Sequence, residues 1–248
     1  MKDFLASEDR ALLERHGLAS YDALWALKLE AVDEPNAERG GWSCVYRLDL
    51  GDAAYYLKRQ SNYLGRSLKH PFGEPTFARE FRNIQRYQQL GIPALRAAFF
   101  AQRRVAGEQC ALLLTRALDG WQDLEHWLQG WAERSEAQRM AILRACGGLV
   151  RRLHDARQVH GCFYPKHIFL RDNGGEFAAQ LIDLEKTRPL LFGERDRIKD
   201  LEPLLRRASN WNEAEVCQLL LAYVGSGGDV QRWWQRLGAR RQHKELRR

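Results

Sequence analysis

One stretch constrains this chain more than any other: Val159-His160-Gly161-Cys162-Phe163-Tyr164-Pro165-Lys166-His167-Ile168-Phe169-Leu170, followed by Leu181-Ile182-Asp183-Leu184-Glu185. A short His-rich loop runs into an apolar strand, and a second apolar run then ends on a carboxylate. Whatever surrounds this stretch must bury two short strands and still leave groups that bind protons, metals or phosphates in reach.

The segments upstream change period in a definite order. Residues 7–29 read as one or two short helices, with Ser7 and Ser20 as N-cap candidates and Gly17 as a stop. From Gly40 the spacing becomes strand-like: Tyr46, Leu48 and Leu50 alternate with Val45, Arg47 and Asp49. Gly51-Asp52 then turns the chain into a second strand, Ala53 to Lys58. Gly40, Gly41 and Ser43 stand at the mouth of the first strand, where glycines let backbone approach a phosphate. Thr76 is the expected cap of a helix over 76–90, whose Phe77, Phe81, Ile84, Tyr87 and Leu90 recur at three- and four-residue spacing with Glu80 beside them. Strands are expected at 95–102 and 109–115.

Beyond that point the chain turns helical. One helix is marked by Leu124, Trp127, Leu128 and Trp131. Ser135-x-x-Gln138 and Asn212-x-x-Glu215 open two more, and a basic helix with Trp233, Trp234 and Leu237 closes the series. The expected architecture is therefore α+β and bilobal, with a small, mostly β lobe over 1–116, a larger, mostly helical lobe over 117–248, and a ligand cleft between them. Arg116 to Gly120 is the expected hinge.

Composition narrows the function class. No apolar run reaches the roughly 18–20 residues a membrane span needs. The first ten residues lack the basic-then-apolar order of a signal peptide. Cys44, Cys110, Cys146, Cys162 and Cys217 are scattered, which favours reduced thiols and a cytoplasmic location. The net charge of +7 is uneven: residues 1–55 are acidic, 56–104 basic, and the last stretch from Val230 is basic again. Such surfaces are either merely solvated or face an anionic partner, and no nucleic-acid motif is present.

The ordered series of a Gly-rich turn, a strand lysine (Lys58), a helix glutamate (Glu80), the His-rich loop and Asp183 resembles that of protein kinases. There the loop reads His-Arg-Asp-x-x-x-x-Asn and the second run ends in Asp-Phe-Gly. More narrowly, His160 to Leu170, Ile182-Asp183-Leu184-Glu185-Lys186-Thr187-Arg188 and Arg197-Ile198-Lys199-Asp200-Leu201 are similar to the bacterial lipopolysaccharide core kinases, the heptose kinase and InaA-like group. In that group a His commonly replaces the loop Asn, and Asp-Leu-x replaces Asp-Phe-Gly, as His167 and Asp183-Leu184-Glu185 do.

The resemblance implies ATP and Mg²⁺ as cofactors and an anionic lipopolysaccharide core sugar as acceptor. It implies that Gly40, Gly41 and Ser43 cover the ATP phosphates, that Lys58 holds them and that Glu80 orients Lys58. It further implies Asp183 as metal ligand, His167 beside the metal or the phosphates, and Asp200 as a scaffold for the loop. Arg66, Lys69 and His70 are candidates for the saccharide. The C-terminal helix (Trp233, Trp234, Arg236, Arg240, Arg241, Lys244) is either a peripheral anchor on the anionic inner leaflet or a packed terminal helix.

Cys162 departs from the pattern, because it stands where the kinase loop has its catalytic Asp. General-base assistance is worth roughly 10²–10⁴-fold, and a thiol supplies it poorly. Tyr164, Glu185 or a water are substitutes for the base. A nucleotide-binding pseudokinase that serves as a scaffold in envelope synthesis is thus the main alternative. A small-molecule phosphotransferase of the aminoglycoside or choline type is a third.

Overall fold

The computed structural model describes residues 3–37, 40–66 and 70–245, with side chains as far as 242. Lys69 and the side chain of Lys244 lie outside the described residues. The chain divides into two units: Met1–Arg86 with Leu95–Asp119, and Tyr87–Ala94 with Gly120–Arg248. The first is β-rich and the second mostly helical. Residues 87–94 fall in the helical unit, and the units part after Asp119, inside the Arg116 to Gly120 segment and three residues beyond the 116 boundary.

The first unit is built on a five-stranded antiparallel sheet, ordered Phe4–Leu5, Ala97–Val105, Glu108–Arg116, Ala54–Ser61, Trp42–Asp49. Glu108–Arg116 sits at its centre, and its Ala111 to Leu114 run is fully buried, as a strand covered on both faces must be. One face packs against the helices Ser7–Arg15 and Tyr21–Ala26 through Leu13, Leu18, Tyr21 and Leu24. On the helix Thr76–Gln89, Phe81 stacks on Phe100 with ring centroids 4.3 Å apart. Ser20 caps its helix by accepting from Ala23 N.

Two expected caps are supplied differently. Ser7 is the first helical residue, preceded by Ala6, and makes no cap bond. Thr76 likewise starts its helix, and the free Phe77 N–H is taken by the Gln60 side chain at 2.9 Å, to which the Thr76 hydroxyl also donates at 3.0 Å. A buried strand glutamine therefore fixes where the Glu80 helix begins. No local spacing could announce a cap that comes from another element.

The glycine-rich turn lies at the mouth of the strand Trp42–Asp49, as expected, and a preceding segment pairs with that strand. Ala31 and Asn36 form antiparallel bridges to Tyr46 and Ser43, so Gly40 and Gly41 lie in the turn of a hairpin one element earlier than the Gly51-Asp52 turn. Gly40 has φ +75°, and a Cβ on Gly41 would run into the Ser61 carbonyl and the Asn62 backbone. Steric room, as well as any ligand, dictates these two glycines.

In the second unit, Ile168–Asp172 and Phe177–Leu181 form a hairpin that Gln122–Asp123 extends. Gln158–Val159 pairs with Arg188–Pro189. The residues expected to form one helix from Leu124 to Trp131 instead make a helix, Leu124–Leu128, and a separate 3₁₀ turn, Trp131–Glu133, parted by Gly130 with φ +62°. The helices Glu136–Asp155 and Glu213–Val224 approach closely at Gly147, where a Cβ would strike the Leu219 carbonyl and the Ala222 methyl. The neighbouring Gly148 faces open space. Gly147→Ala is therefore expected to destabilise by about 1–3 kcal/mol through overpacking. Gly148→Ala, relieved of glycine's entropy in a helix, should stabilise by up to about 1 kcal/mol. Urea denaturation of the two variants reads the opposite signs.

The terminal helix Val230–Glu245 is packed. Leu237 is buried, Trp233 sits edge-on to Tyr223, and Arg232 and Arg236 both pair with Glu194. Among the described residues no helix is long and apolar enough to cross a membrane.

Candidate active site

The first unit holds a lysine–glutamate ion pair. Lys58 lies on the strand Ala54–Ser61, and its ammonium donates to Glu80 Oε1 at 2.6 Å. Glu80 is buried and the Lys58 side chain is 18% exposed, so the pair is desolvated on the carboxylate side and open on the lysine side. A buried carboxylate costs several kcal/mol unless paired. Glu80 thus pins Lys58 in one rotamer by engaging one of the three N–H donors of its ammonium. Ser43 is less available: its N–H donates to the Asn36 carbonyl and its carbonyl accepts from Asn36 N. Both backbone polar groups of Ser43 are therefore engaged, and the Ser43 N–H is taken.

The second unit supplies the loop. His160, Gly161 and Cys162 follow the strand Gln158–Val159, and Pro165–His167 forms a 3₁₀ turn into the strand Ile168–Asp172. Asp200, on the helix Gly193–Arg207, anchors it: Oδ2 accepts from His160 N at 2.8 Å and Oδ1 from Gly161 N at 2.7 Å. His154 Nε2 lies 3.2 Å from the same carboxylate, and its Nδ1 is 2.9 Å from the Tyr223 hydroxyl. Burial pushes the Asp200 pKa up, but these donors outweigh it and hold it below the usual carboxylate value. The scaffold role expected for Asp200 is thus visible atom by atom. His154 was not singled out in the sequence, because it reaches Asp200 from 46 residues away.

Gly161 has φ +81°, and a Cβ there would meet the Lys186 carbonyl at 2.6 Å. Only glycine fits the position where kinases carry Arg. Asp183 is one of the non-glycine residues with positive φ, at φ 57° and ψ 62°, a left-handed conformation uncommon outside glycine, asparagine and aspartate. It swings the Asp183 carboxylate out of the strand direction and toward the loop.

Each histidine has one nitrogen committed to a backbone carbonyl. His160 Nε2 donates to Ile182 O at 2.9 Å, and His167 Nδ1 donates to Cys162 O at 2.8 Å. A carbonyl only accepts, so in the neutral form of each ring His160 Nδ1 and His167 Nε2 carry the lone pairs. His160 Nδ1 is 3.5 Å from Cys162 Sγ, and His167 Nε2 is 3.2 Å from Asp183 Oδ2. Cys162 Sγ is 3.8 Å from the same Asp183 oxygen. Burial lowers the His167 pKa against the opposing pull of Asp183.

Cys162 is 2% exposed. Burial first, and then the Asp183 charge, push its thiol far above the ordinary range. At neutral pH it is a protonated hydrogen-bond donor and not a base. Tyr164 lies beneath the Arg207 guanidinium at 3.6 Å, and its ring is 5.4 Å from that of His167.

Of the basic residues expected at the saccharide, Arg66 is exposed. His70 Nε2 is 3.5 Å from Glu74, which also takes Arg82 at 2.5 Å. Glu74 therefore offsets part of that positive charge.

Protein InaA of Escherichia coli (strain K12) is 30% identical over 210 residues, covering 80% of this chain and 96% of that protein. The solved structure of WaaP in complex with acyl carrier protein superposes with a TM-score of 0.73 at 20% identity, covering 100% of this chain and 99% of that one. The fold is accordingly that of the kinase-like WaaP structure, a β-rich unit with a key helix and a mostly helical unit. The profile of the Lipopolysaccharide kinase (Kdo/WaaP) family matches residues 22–223, and the chain belongs to that family.

Proposed function

We propose that the chain transfers the γ-phosphoryl group of ATP to a hydroxyl of a heptose-type sugar in the lipopolysaccharide inner core, at the cytoplasmic face of the inner membrane. The observation that carries this reading is the Lys58–Glu80 ion pair at 2.6 Å, a desolvated carboxylate that orients a lysine with donors to spare. Phosphoryl transfer asks mainly for positioning and charge neutralisation, and a fixed ammonium supplies both.

Asp183 fits Mg²⁺: its side chain is 42% exposed and offers hard oxygens, and Mg²⁺ is commonly held by one or two carboxylates plus substrate phosphates. His167 and Cys162 do not fit that ion, since nitrogen and sulfur suit softer metals. When bound, Mg²⁺ neutralises charge on the phosphates. Lys58 binds the phosphates, and Gly40 and Gly41 let backbone approach them. The acceptor oxygen forms its bond to phosphorus as the bond to ADP breaks. The hydroxyl proton passes to solvent water, since the protonated Cys162 thiol cannot take it, so turnover is slow for a kinase.

The assay is phosphate transfer from labelled ATP to purified core saccharide, with Lys58→Met as the inactive control. Transfer at the control level, despite Mg·ATP binding, would refute this reading and leave the pseudokinase. Cys162→Asp restores a carboxylate beside Asp183, and is expected to raise turnover toward the roughly 10²–10⁴-fold that a general base contributes. An unchanged rate in a folded variant would mean that Cys162 does not stand in a base position. The packed Trp233 and Leu237 leave the terminal helix less apolar surface for a bilayer, and Arg241 donates to the Leu205 carbonyl, so membrane contact is read as electrostatic, through the net basic charge of the sequence from Val230 on.

A further inference from the structure

The loop carries a donor set that phosphoryl transfer does not call for. One donor atom each from His160, Cys162 and His167 lies within 4.8 Å of the other two, and all three residues are buried. Each imidazole donates its other N–H to a backbone carbonyl, Ile182 for His160 and Cys162 for His167. That outer-shell bond is the usual companion of a metal-ligating histidine, because it fixes the tautomer and aims the free lone pair.

The free nitrogens converge on the sulfur and on Asp183. A tetrahedral ion with metal–sulfur bonds near 2.3 Å and metal–nitrogen or –oxygen bonds near 2.0–2.1 Å spaces sulfur from nitrogen or oxygen by about 3.5 Å, and nitrogen from oxygen by about 3.3 Å. The observed edges are 3.5 Å from His160 Nδ1 to Cys162 Sγ, 3.2 Å from His167 Nε2 to Asp183 Oδ2, and 3.8 Å from Cys162 Sγ to Asp183 Oδ2. The remaining edges among His160, Cys162 and His167 are no longer than 4.8 Å and shorten as the three donors draw in on an ion.

We propose that His160 Nδ1, Cys162 Sγ, His167 Nε2 and Asp183 Oδ2 form a binding site for a soft divalent cation of the Zn²⁺ class. Nitrogen and sulfur donors select such ions over Mg²⁺. Coordination takes the thiolate, so the thiol proton passes to solvent as the ion binds. An ion seated there occupies the Asp183 oxygen, and Mg²⁺ and Zn²⁺ therefore exclude one another at that atom. The inference goes beyond the kinase reading. It stands on the loop geometry and holds whether or not phosphate is transferred.

The probe is Co²⁺, titrated into the full chain after reduction and removal of metals. One equivalent is expected to give a thiolate-to-cobalt charge-transfer band with intense tetrahedral visible bands, bleached by Zn²⁺. Cys162→Ser, a near-isosteric change, should abolish the charge-transfer band. It should also weaken binding by no less than the roughly 10–100-fold that loss of an outer-shell partner costs. X-ray absorption on the Zn²⁺ form of the unaltered chain needs no variant, and is expected to count one sulfur with two imidazole nitrogens. Equal spectra and affinity in Cys162→Ser would mean an adventitious ion only, on other thiols or surface histidines. That result, or an absorption fit with no sulfur or more than one, overturns the site and leaves the phosphotransfer assay untouched.

Discussion

Asp183→Asn is expected to abolish the thermal stabilisation that Mg·ATP gives the unaltered chain and to lower phosphate transfer by about 10²–10³-fold, the scale on which removal of one electrostatic contact acts. Asparagine is the informative replacement. Asp183 sits at φ 57°, ψ 62°, and asparagine accepts that conformation as readily as aspartate, so the backbone turn into Leu184 survives. What changes is the charge. An amide is a weak Mg²⁺ ligand, and it leaves Lys58 as the remaining site residue that answers the phosphates. Thermal-shift measurements with and without Mg·ATP give the first readout and the labelled-ATP assay the second. A full shift in the variant would remove Asp183 from metal binding.

Asp200→Asn should be the most damaging substitution for stability. The carboxylate is buried and accepts from His160 N and Gly161 N, with His154 Nε2 at 3.2 Å. An asparagine presents an NH₂ group to one of those N–H donors, so a hydrogen bond becomes a repulsion. Breaking a buried, charge-assisted cluster in this way costs about 3–5 kcal/mol, measurable by urea denaturation. The pH dependence follows from the direction of the shift. Because the folded-state pKa lies below the unfolded one, the stabilisation is fully present above the usual carboxylate pKa and is lost as pH falls through the lower folded value. The Asn variant should lack that acid-side loss while being weaker at neutral pH. A variant as stable as the parent would show that the loop does not depend on Asp200.

The elements with a clear period were legible in the sequence. The stripe of Phe77, Phe81, Ile84 and Tyr87 gave the Glu80 helix, and the all-apolar run Ala111 to Leu114 gave the central strand. Asn212-x-x-Glu215 is a true capping box, with both reciprocal bonds present. What the sequence did not carry were contacts made across long separations. Gln60 caps the Glu80 helix from 17 residues away, and Arg59 donates to the Trp25 and Leu27 carbonyls from the neighbouring sheet strand. Asp9 accepts from Tyr55 and Arg116 at 2.7 Å in full burial. A periodicity reading scores neighbours at one to four positions, so bonds of this reach leave no local mark.

The candidate site divides in the same way. The order of residues singled out Lys58, Glu80, His167 and Asp183 through its resemblance to the kinase series, each being a weak signal by itself. It also marked Cys162 as the chemical departure. Only the tertiary structure decided what that departure means. Burial protonates the thiol, two backbone carbonyls fix the tautomers of His160 and His167, and the left-handed turn at Asp183 brings a carboxylate oxygen to 3.8 Å from the sulfur. Sequence determines which groups the loop owns. Their protonation and direction depend on solvent exclusion and on partners that come together only when the chain has folded.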